Sequence, residues 1–361
     1  MSGRRRRSEC LAGSLWLIGL LGRASGAQWQ IGSAGGDTLR LGFLAQARGE
    51  WIRNGNPPVT AQNLFLRHLR VLAAAQLHDH LSMFLGMDSP NLGKAQPDGT
   101  KNAGDVGVYD FWITYAPRDA AMLDVGLIGT PNSHNSIQSI SGMLAADFGA
   151  YSFLATGPTT SRAGRDYGLQ ARGYVARQHV EYRLDAFQGF RGPAASRQLR
   201  YLGRLVADVF RAEKSVYYSG TSLGAQRHLA FGVGFDHQEH YDAHGVDAHI
   251  DQPLPNGDAL TAQIDWVLYD GGITFPTLPR QHATLVEAGY FVKRARWSPF
   301  LQLARRDFRN VAIADEEQRL VGLAYWVDGH HVNVKAAYGR LAQRGTRTGS
   351  LAQLTFQCFA F

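Results

Sequence analysis

Between residues 260 and 269 polar and apolar side chains alternate almost without a break. Leu260, Ala262, Ile264, Trp266 and Leu268 fall on one face, and Thr261, Gln263, Asp265 and Tyr269 fall on the other. Val267 is the single apolar residue on the polar side. A period of two specifies a β-strand with one apolar and one polar face. Its length, about ten residues, suits a tilted strand crossing a bilayer.

The pattern recurs along the chain. Thr38 to Arg48 places Leu39, Leu41, Phe43, Ala45 and Ala47 opposite Arg40, Gln46 and Arg48. Residues 49–61, with Asn54-Gly55-Asn56-Pro57-Pro58, read as a loop. Strands are expected at 63–74 and 77–88, joined near Ala75-Gln76. Further strands follow at 106–116, 121–129, 165–176, 178–189 and 199–211. In the first of these, Tyr109, Phe111, Ile113 and Tyr115 point outward and Asp110, Trp112 and Thr114 inward. The remainder lie at 228–239, 244–251, 258–270, 282–294, 297–308, 317–327, 330–341 and 349–361. The total is about 16, an even number as single-chain bacterial barrels require.

The connections alternate between long and short, as extracellular loops and periplasmic turns do. The rhythm falters at 212–228, which should be short, and at 240–243, which should be long. An extra strand or a slipped register would account for either. The segment 130–165 is the longest connection without alternation, and loops of that length are usually functional. Folded inward as the third extracellular loop, it would narrow a lumen of about 16 strands, which is otherwise wide enough for water.

Composition adjusts this picture. Residues 1–27 carry Arg4 to Arg7, an apolar run from Leu11 to Leu21 and Ala24-Ser25-Gly26-Ala27, so they read as a cleaved signal peptide. Residues 28–37 then form a short lead, and 38–361 the barrel. Removing 1–27 lowers Lys plus Arg from 37 to 32 and Asp plus Glu from 30 to 29, leaving +3 instead of +7. Nucleic-acid binding thereby loses its compositional support. Only Cys358 remains of the two cysteines, which excludes an internal disulfide, a thiolate metal cluster and a haem attachment motif. No cofactor is expected.

If the apolar faces meet outer-membrane lipid, the polar faces line water. The expected wall includes Arg40, Arg48, Arg70, Arg172, Arg183, Arg204, Arg306 and Lys335, with Asp110, Glu181, Asp185, Asp265 and Glu287 among them. Basic residues outnumber acidic ones in that set, and rings of Arg and Lys favour anions. Mutually paired charges that only keep the wall wet would look the same in sequence. Within 130–165, Asn132, His134, Asn135, Arg162 and Arg165 are candidates for the constriction. The two arginines suit carboxylate or phosphate oxygens, or else anchor the loop to wall carboxylates such as Asp166.

Two motifs suggest other chemistry. Gly220-Thr221-Ser222-Leu223-Gly224 matches the G-x-S-x-G elbow of hydrolases, but no helical pattern follows Gly224 as that elbow needs. His237, His240, His244 and His249, with Asp236, Asp242, Asp247 and Asp251, include metal-ligand types. Alternation spreads them over both faces of two strands, which fits polar strand ends near the rim. His78-Asp79-His80 and His330-His331 sit in expected turns.

Several segments resemble the phosphate-selective porin O and P family of bacterial outer membranes. Tyr109-Asp110-Phe111-Trp112-Ile113-Thr114-Tyr115, Leu123-Asp124-Val125-Gly126 and Pro131 are similar to its approach to the constriction loop. Gly164-Arg165-Asp166-Tyr167-Gly168-Leu169-Gln170, with Tyr182 and Phe187-Gln188-Gly189, resembles its following hairpin. Asp251-Gln252-Pro253-Leu254-Pro255-Asn256-Gly257 and the terminal Phe361 also fit. Asp124 departs from the family's usual Arg, and lysines are few. Phe361 and Phe359 share an apolar face that Gln357 and Thr355 break, which suggests a bulge. The resemblance implies a homotrimeric outer-membrane porin passing small anionic or neutral solutes, with a preference for phosphate or similar anions. The alternatives are a barrel sheathing a partner such as an electron-transfer cytochrome, and an outer-membrane hydrolase using Ser222.

Overall fold

The computed structural model describes residues 29–32, 37–54, 59–159, 161–193, 195, 197–345 and 348–361. The expected signal peptide, 1–27, lies outside them. Sixteen antiparallel strands close into one barrel: β2 Thr38–Asn54, β3 Val59–His78, β4 Leu81–Asp88, β5 Gly107–Arg118, β6 Ala121–Gly129, β7 Arg165–Val175, β8 Val180–Phe187 and β9 Arg200–Asp208 form one half. The other half is β10 His228–Gln238, β11 Tyr241–Pro253, β12 Ala259–Asp270, β13 Gln281–Phe291, β14 Trp297–Phe308, β15 Glu316–Asp328, β16 Val332–Gln343 and β17 Gly349–Ala360. Closure comes from β17 against β2, with Ala360 opposite Phe43 and Ser350 opposite Arg53. Pairing every edge removes the unsatisfied backbone groups that lipid would not tolerate. Among the described residues no helix is long and apolar enough to cross a membrane.

A short strand, β1 Trp29–Gly32, lies in the expected lead and pairs with Thr38–Leu41 of β2. It prolongs the edge that β17 leaves at Phe361. Gly42 permits this junction, since a Cβ there would sit 2.1 Å from the Ala360 carbonyl oxygen.

The expected faces hold. Leu260, Ile264 and Trp266 are exposed on the outside, while Thr261, Gln263, Asp265 and Tyr269 are buried within. Val71, Ile113, Leu205, Val233, Leu301 and Val321 extend the exposed apolar exterior around the barrel. An apolar surface that encircles a protein marks a lipid-facing belt. Val267 also has a reason: it packs inside against Ala155, Tyr241 and Tyr269, where residues 130–164 cover the wall.

Several sequence expectations need correction. β2 and β3 continue well into 49–61, because their outer portions still pair from Glu50–Asn63 to Asn54–Val59. The β3–β4 turn is Asp79-His80, not Ala75-Gln76. Tyr109 turns inward: Gly86 pairs Asp110 and Met87 pairs Val108, so Tyr109 is a bulge residue. The last strand carries no register shift. Its Phe359, Gln357 and Thr355 share the lumen face, where polar residues belong.

The two breaks in loop rhythm are real. The β10–β11 connection is only Glu239-His240, and no extra strand fills 209–227. That segment leaves the end of the barrel holding the chain termini and folds into the lumen. Residues 130–164 enter from the opposite end.

Candidate functional site

The two inward segments meet in mid-lumen and join backbone to backbone. Tyr218 donates its N–H to the Ile137 carbonyl at 2.9 Å, and Ser139 donates to the Tyr218 carbonyl at 2.8 Å. Gly220 donates to the Gly142 carbonyl at 3.0 Å. A Cβ at Gly220 would lie 2.9 Å from the Met143 Cα, so glycine is needed for this approach. That accounts for the first glycine of the G-x-S-x-G motif. Its Ser222 sits in a turn, where its hydroxyl accepts the Gln226 N–H at 3.0 Å.

The loop 130–164 is fastened to the wall on several sides. Asp147 takes an ion pair from Arg48 and a second from Arg67 at 3.0 Å. Burial alone would raise the Asp147 carboxyl, but the Arg67 and Arg48 guanidiniums outweigh it and hold it well below the usual range. Arg48 also donates to the Ala146 carbonyl at 2.9 Å and to Thr355 Oγ1 at 3.0 Å. The Lys335 ammonium is buried against the carbonyls of Met143 at 2.5 Å and Ala145 at 3.0 Å. Loop carbonyls, and no acidic side chain, thus receive this lysine.

Asn135 is a pillar of the loop. Its N–H donates to Asp265 Oδ2 at 2.9 Å, and its Oδ1 accepts from Gly149 N–H at 3.0 Å and Ser152 Oγ at 2.6 Å. His134 stacks on His249 at 4.0 Å and on Tyr218 at 5.1 Å, with Nδ1 2.9 Å from Gln263 Oε1. Burial and then the adjacent His249 push its pKa far down, so the ring is neutral. The buried Oδ1 of Asn132 has no hydrogen-bond partner among the described residues.

The segment 209–227 is held by Arg183, which is 1% exposed. Its Nη1 reaches the Val216 carbonyl at 2.8 Å and its Nη2 the Ser215 carbonyl at 3.1 Å, while Nε pairs with Glu181 at 2.5 Å. Burial pushes the Glu213 carboxyl up to about 7, against the lowering effect of the Ser219 N–H.

The remaining expected arginines are largely paired. Arg70 meets Asp88 at 2.8 Å, Arg172 meets Asp124 at 2.6 Å and Arg165 meets Asp110 at 3.0 Å. The carboxylate that anchors Arg165 is therefore Asp110, not Asp166, which pairs with Arg200. Arg204 grips Asp247 with two bonds, at 2.5 and 2.8 Å, and Arg306 grips Glu316 at 2.9 and 2.7 Å. Arg40 sits at the terminal rim over the Phe361 ring. Arg162 is exposed to solvent and lies over the inward-turned Tyr109, 5.2 Å from its centroid.

The expected excess of positive charge is not what the lumen shows. Asp185, Asp208, Glu213, Asp251, Asp265 and Glu287 make no ion pair among the described residues, whereas the interior arginines Arg48, Arg70, Arg165, Arg172, Arg200 and Arg204 all do. The paired carboxylates Asp88, Asp124, Asp147 and Asp236 did not figure among the expected wall charges. The His/Asp group divides between faces, with Asp236, Asp247, His249 and Asp251 buried on the barrel interior, Asp236 and Asp251 close to strand ends. Each of these aspartates serves a neighbour, as Asp236 serves Arg200 at 2.5 Å. No three His, Cys, Asp or Glu side chains converge as a metal site among the described residues. Tyr217, Tyr218 and Glu213 were missed, and the only signal was the failure of alternation at 212–228.

No protein-family model and no curated protein matches the chain. Solved structures do. OprB of Pseudomonas putida superposes with a TM-score of 0.63 at 12% identity, covering 89% of this chain and 94% of that one. An anion-selective porin from Comamonas acidovorans gives 0.59 at 8%, covering 90% and 100%. The trimer form of OmpT, an outer membrane protein of Vibrio cholerae, gives 0.57 at 10%, covering 90% and 99%. At such identities the likeness is one of architecture: this chain has the barrel fold of bacterial outer-membrane porins.

Proposed function

We propose that this protein is an outer-membrane porin through which small hydrophilic solutes diffuse passively, without bond chemistry. The observation that carries this is one closed barrel with an apolar exterior belt and a charged interior. The end bearing the chain termini faces the periplasm, and 130–164 is the third extracellular loop, forming the constriction with 209–227. Wall and loop candidates then act mainly as fasteners: Arg48 and Lys335 hold the loop, and Arg183 holds the periplasmic segment. OmpT's trimer form supports a homotrimer here.

Anion preference, for phosphate or similar, is the finer reading suggested by the sequence resemblance and by the Comamonas neighbour's own selectivity. Paired arginines and unpaired carboxylates weigh against an anion preference. A sheath for a cytochrome is disfavoured, because two segments of the chain itself occupy the lumen. The test is the reversal potential of purified protein in a planar bilayer under a KCl gradient. Step-like conductance reversing near zero or on the cation side is expected. Reversal on the anion side would restore the anion reading, and no conductance under any condition would refute the channel.

A further inference from the structure

A lumen wall that meets water should be polar, yet at the periplasmic end it is not. A cavity of about 370 Å³ opens there, under the junction of the two inward segments. Adjacent strands β17, β2, β3, β4 and β5 turn Phe359, Leu44, Leu72, Phe84 and Trp112 toward it. Phe84 and Trp112 stack at 4.5 Å, and Phe361 meets Phe84 edge-on at 5.8 Å. Ile140 and Val216 add aliphatic surface from the two segments. Part of the same apolar wall is covered by Val216 and Tyr217; the rest borders the cavity.

Polar side chains make up about half of the lining and gather on the two inward segments and at Arg70, Asp110 and Arg165, away from the apolar wall; the charged pairs among them are already committed. Arg70 and Arg165 both bond to carboxylates, and Asp110 additionally accepts the Tyr217 hydroxyl at 2.5 Å. No guanidinium is free to receive an anion. Ser139, Ser141, Ser215, Ser219 and the Glu213 carboxyl, which has no cationic partner among the described residues, offer hydrogen bonds at one side, whereas the Gln138 amide is taken up by Asn135 and Gln263. A sugar would press hydroxyls against Leu44, Leu72, Ile140 and Val216, stripping their water without replacement. An apolar body with one polar end leaves no such group unsatisfied, and the volume suits a ligand of this kind.

We propose that this cavity is a binding site for small uncharged solutes with an aromatic or alicyclic body and one hydrogen-bonding end. The proposal deepens the porin reading and rests on it for the route of entry. Solutes of this class would pause here during passage, their rings against Phe84 and Leu72 and their polar ends toward Ser139 and Glu213.

The test uses full-length protein folded in detergent, with para-cresol as the probe and benzoate and glucose as comparisons. Saturable quenching of tryptophan fluorescence by para-cresol is expected, with benzoate and glucose at least tenfold weaker. Leu72→Asn, which makes the wall polar, and Ile140→Trp, which fills the space, should each weaken para-cresol binding at least tenfold. Heat-modifiable gel mobility and circular dichroism verify that each variant is folded. Equal binding of glucose or benzoate, or undiminished binding by both folded variants, would overturn the proposal. Absence of saturable binding to the wild-type barrel would do so as well. Binding needs no conductance, so the two readings fail separately. A conducting barrel without binding loses only the site, and a binding barrel without conductance loses only the channel.

Discussion

Asp147→Asn removes the charge that ties the third loop to the wall while keeping the side chain's shape. The change leaves Arg48, which is 3% exposed, without its carboxylate, and releases Arg67 as well. Breaking a buried pair on one side costs roughly 3–5 kcal/mol. Asp147 itself is 29% open, and Arg48 keeps the Ala146 carbonyl and Thr355, so about 2 kcal/mol is the expected loss here. At about 1.4 kcal/mol per decade this raises the population of undocked loop roughly thirtyfold. The cost is local, since the strand ladder is untouched, and local opening need not follow global stability. Hydrogen–deuterium exchange of peptides spanning 143–149 should therefore accelerate, and single-channel conductance should rise with more current noise. Unchanged exchange and unchanged conductance in a folded variant would refute the latch. The pH dependence follows from the depressed carboxyl. Its contribution is present above the ordinary aspartate range and is lost only as pH falls through its lower folded value. The wild-type loop should consequently stay docked at pH 4.

Other expected outcomes concern the second segment and the wall. Arg183→Met removes both donors to Ser215 and Val216, so peptides from 209–227 should exchange faster and conductance should increase. Gly220→Ala forces the two segments apart at Met143 and should give a similar effect, whereas Ser222→Ala should leave conductance unchanged. Glu213 has a raised pKa, so its docking contribution is full below the unfolded value of about 4.3 and is lost as pH rises through about 7. Noise from this segment should grow between pH 6 and 8, and Glu213→Gln should abolish that dependence. Asp247→Ala strands Arg204 and should lower stability to urea by roughly 3–5 kcal/mol, while an Arg204→Met, Asp247→Met double variant recovers most of it.

The amino-acid sequence by itself determined the barrel. Period-two alternation survives without tertiary context, because every strand faces the same two environments, lipid and interior, and each side chain must suit one of them. That is why Leu260 to Tyr269 could be assigned to faces correctly, and why the unusual connections at 212–228 and 240–243 stood out. The interior was only half legible. That Arg48, Arg183 and Lys335 point inward follows from parity, but what they meet does not. Their partners lie on remote segments: Asp147 is 99 residues from Arg48, and Met143 is 192 from Lys335. A paired arginine and a free one look alike in sequence: cross-strand pairs such as Arg172–Asp124 and Arg204–Asp247 depend on the barrel's neighbours and register, and the Asp147 pairs with Arg48 and Arg67 depend on the inward folding of 130–164. Segments without periodicity, such as the one holding Tyr217 and Tyr218, take their conformation from the surface they fill. Only the closed barrel supplies that surface.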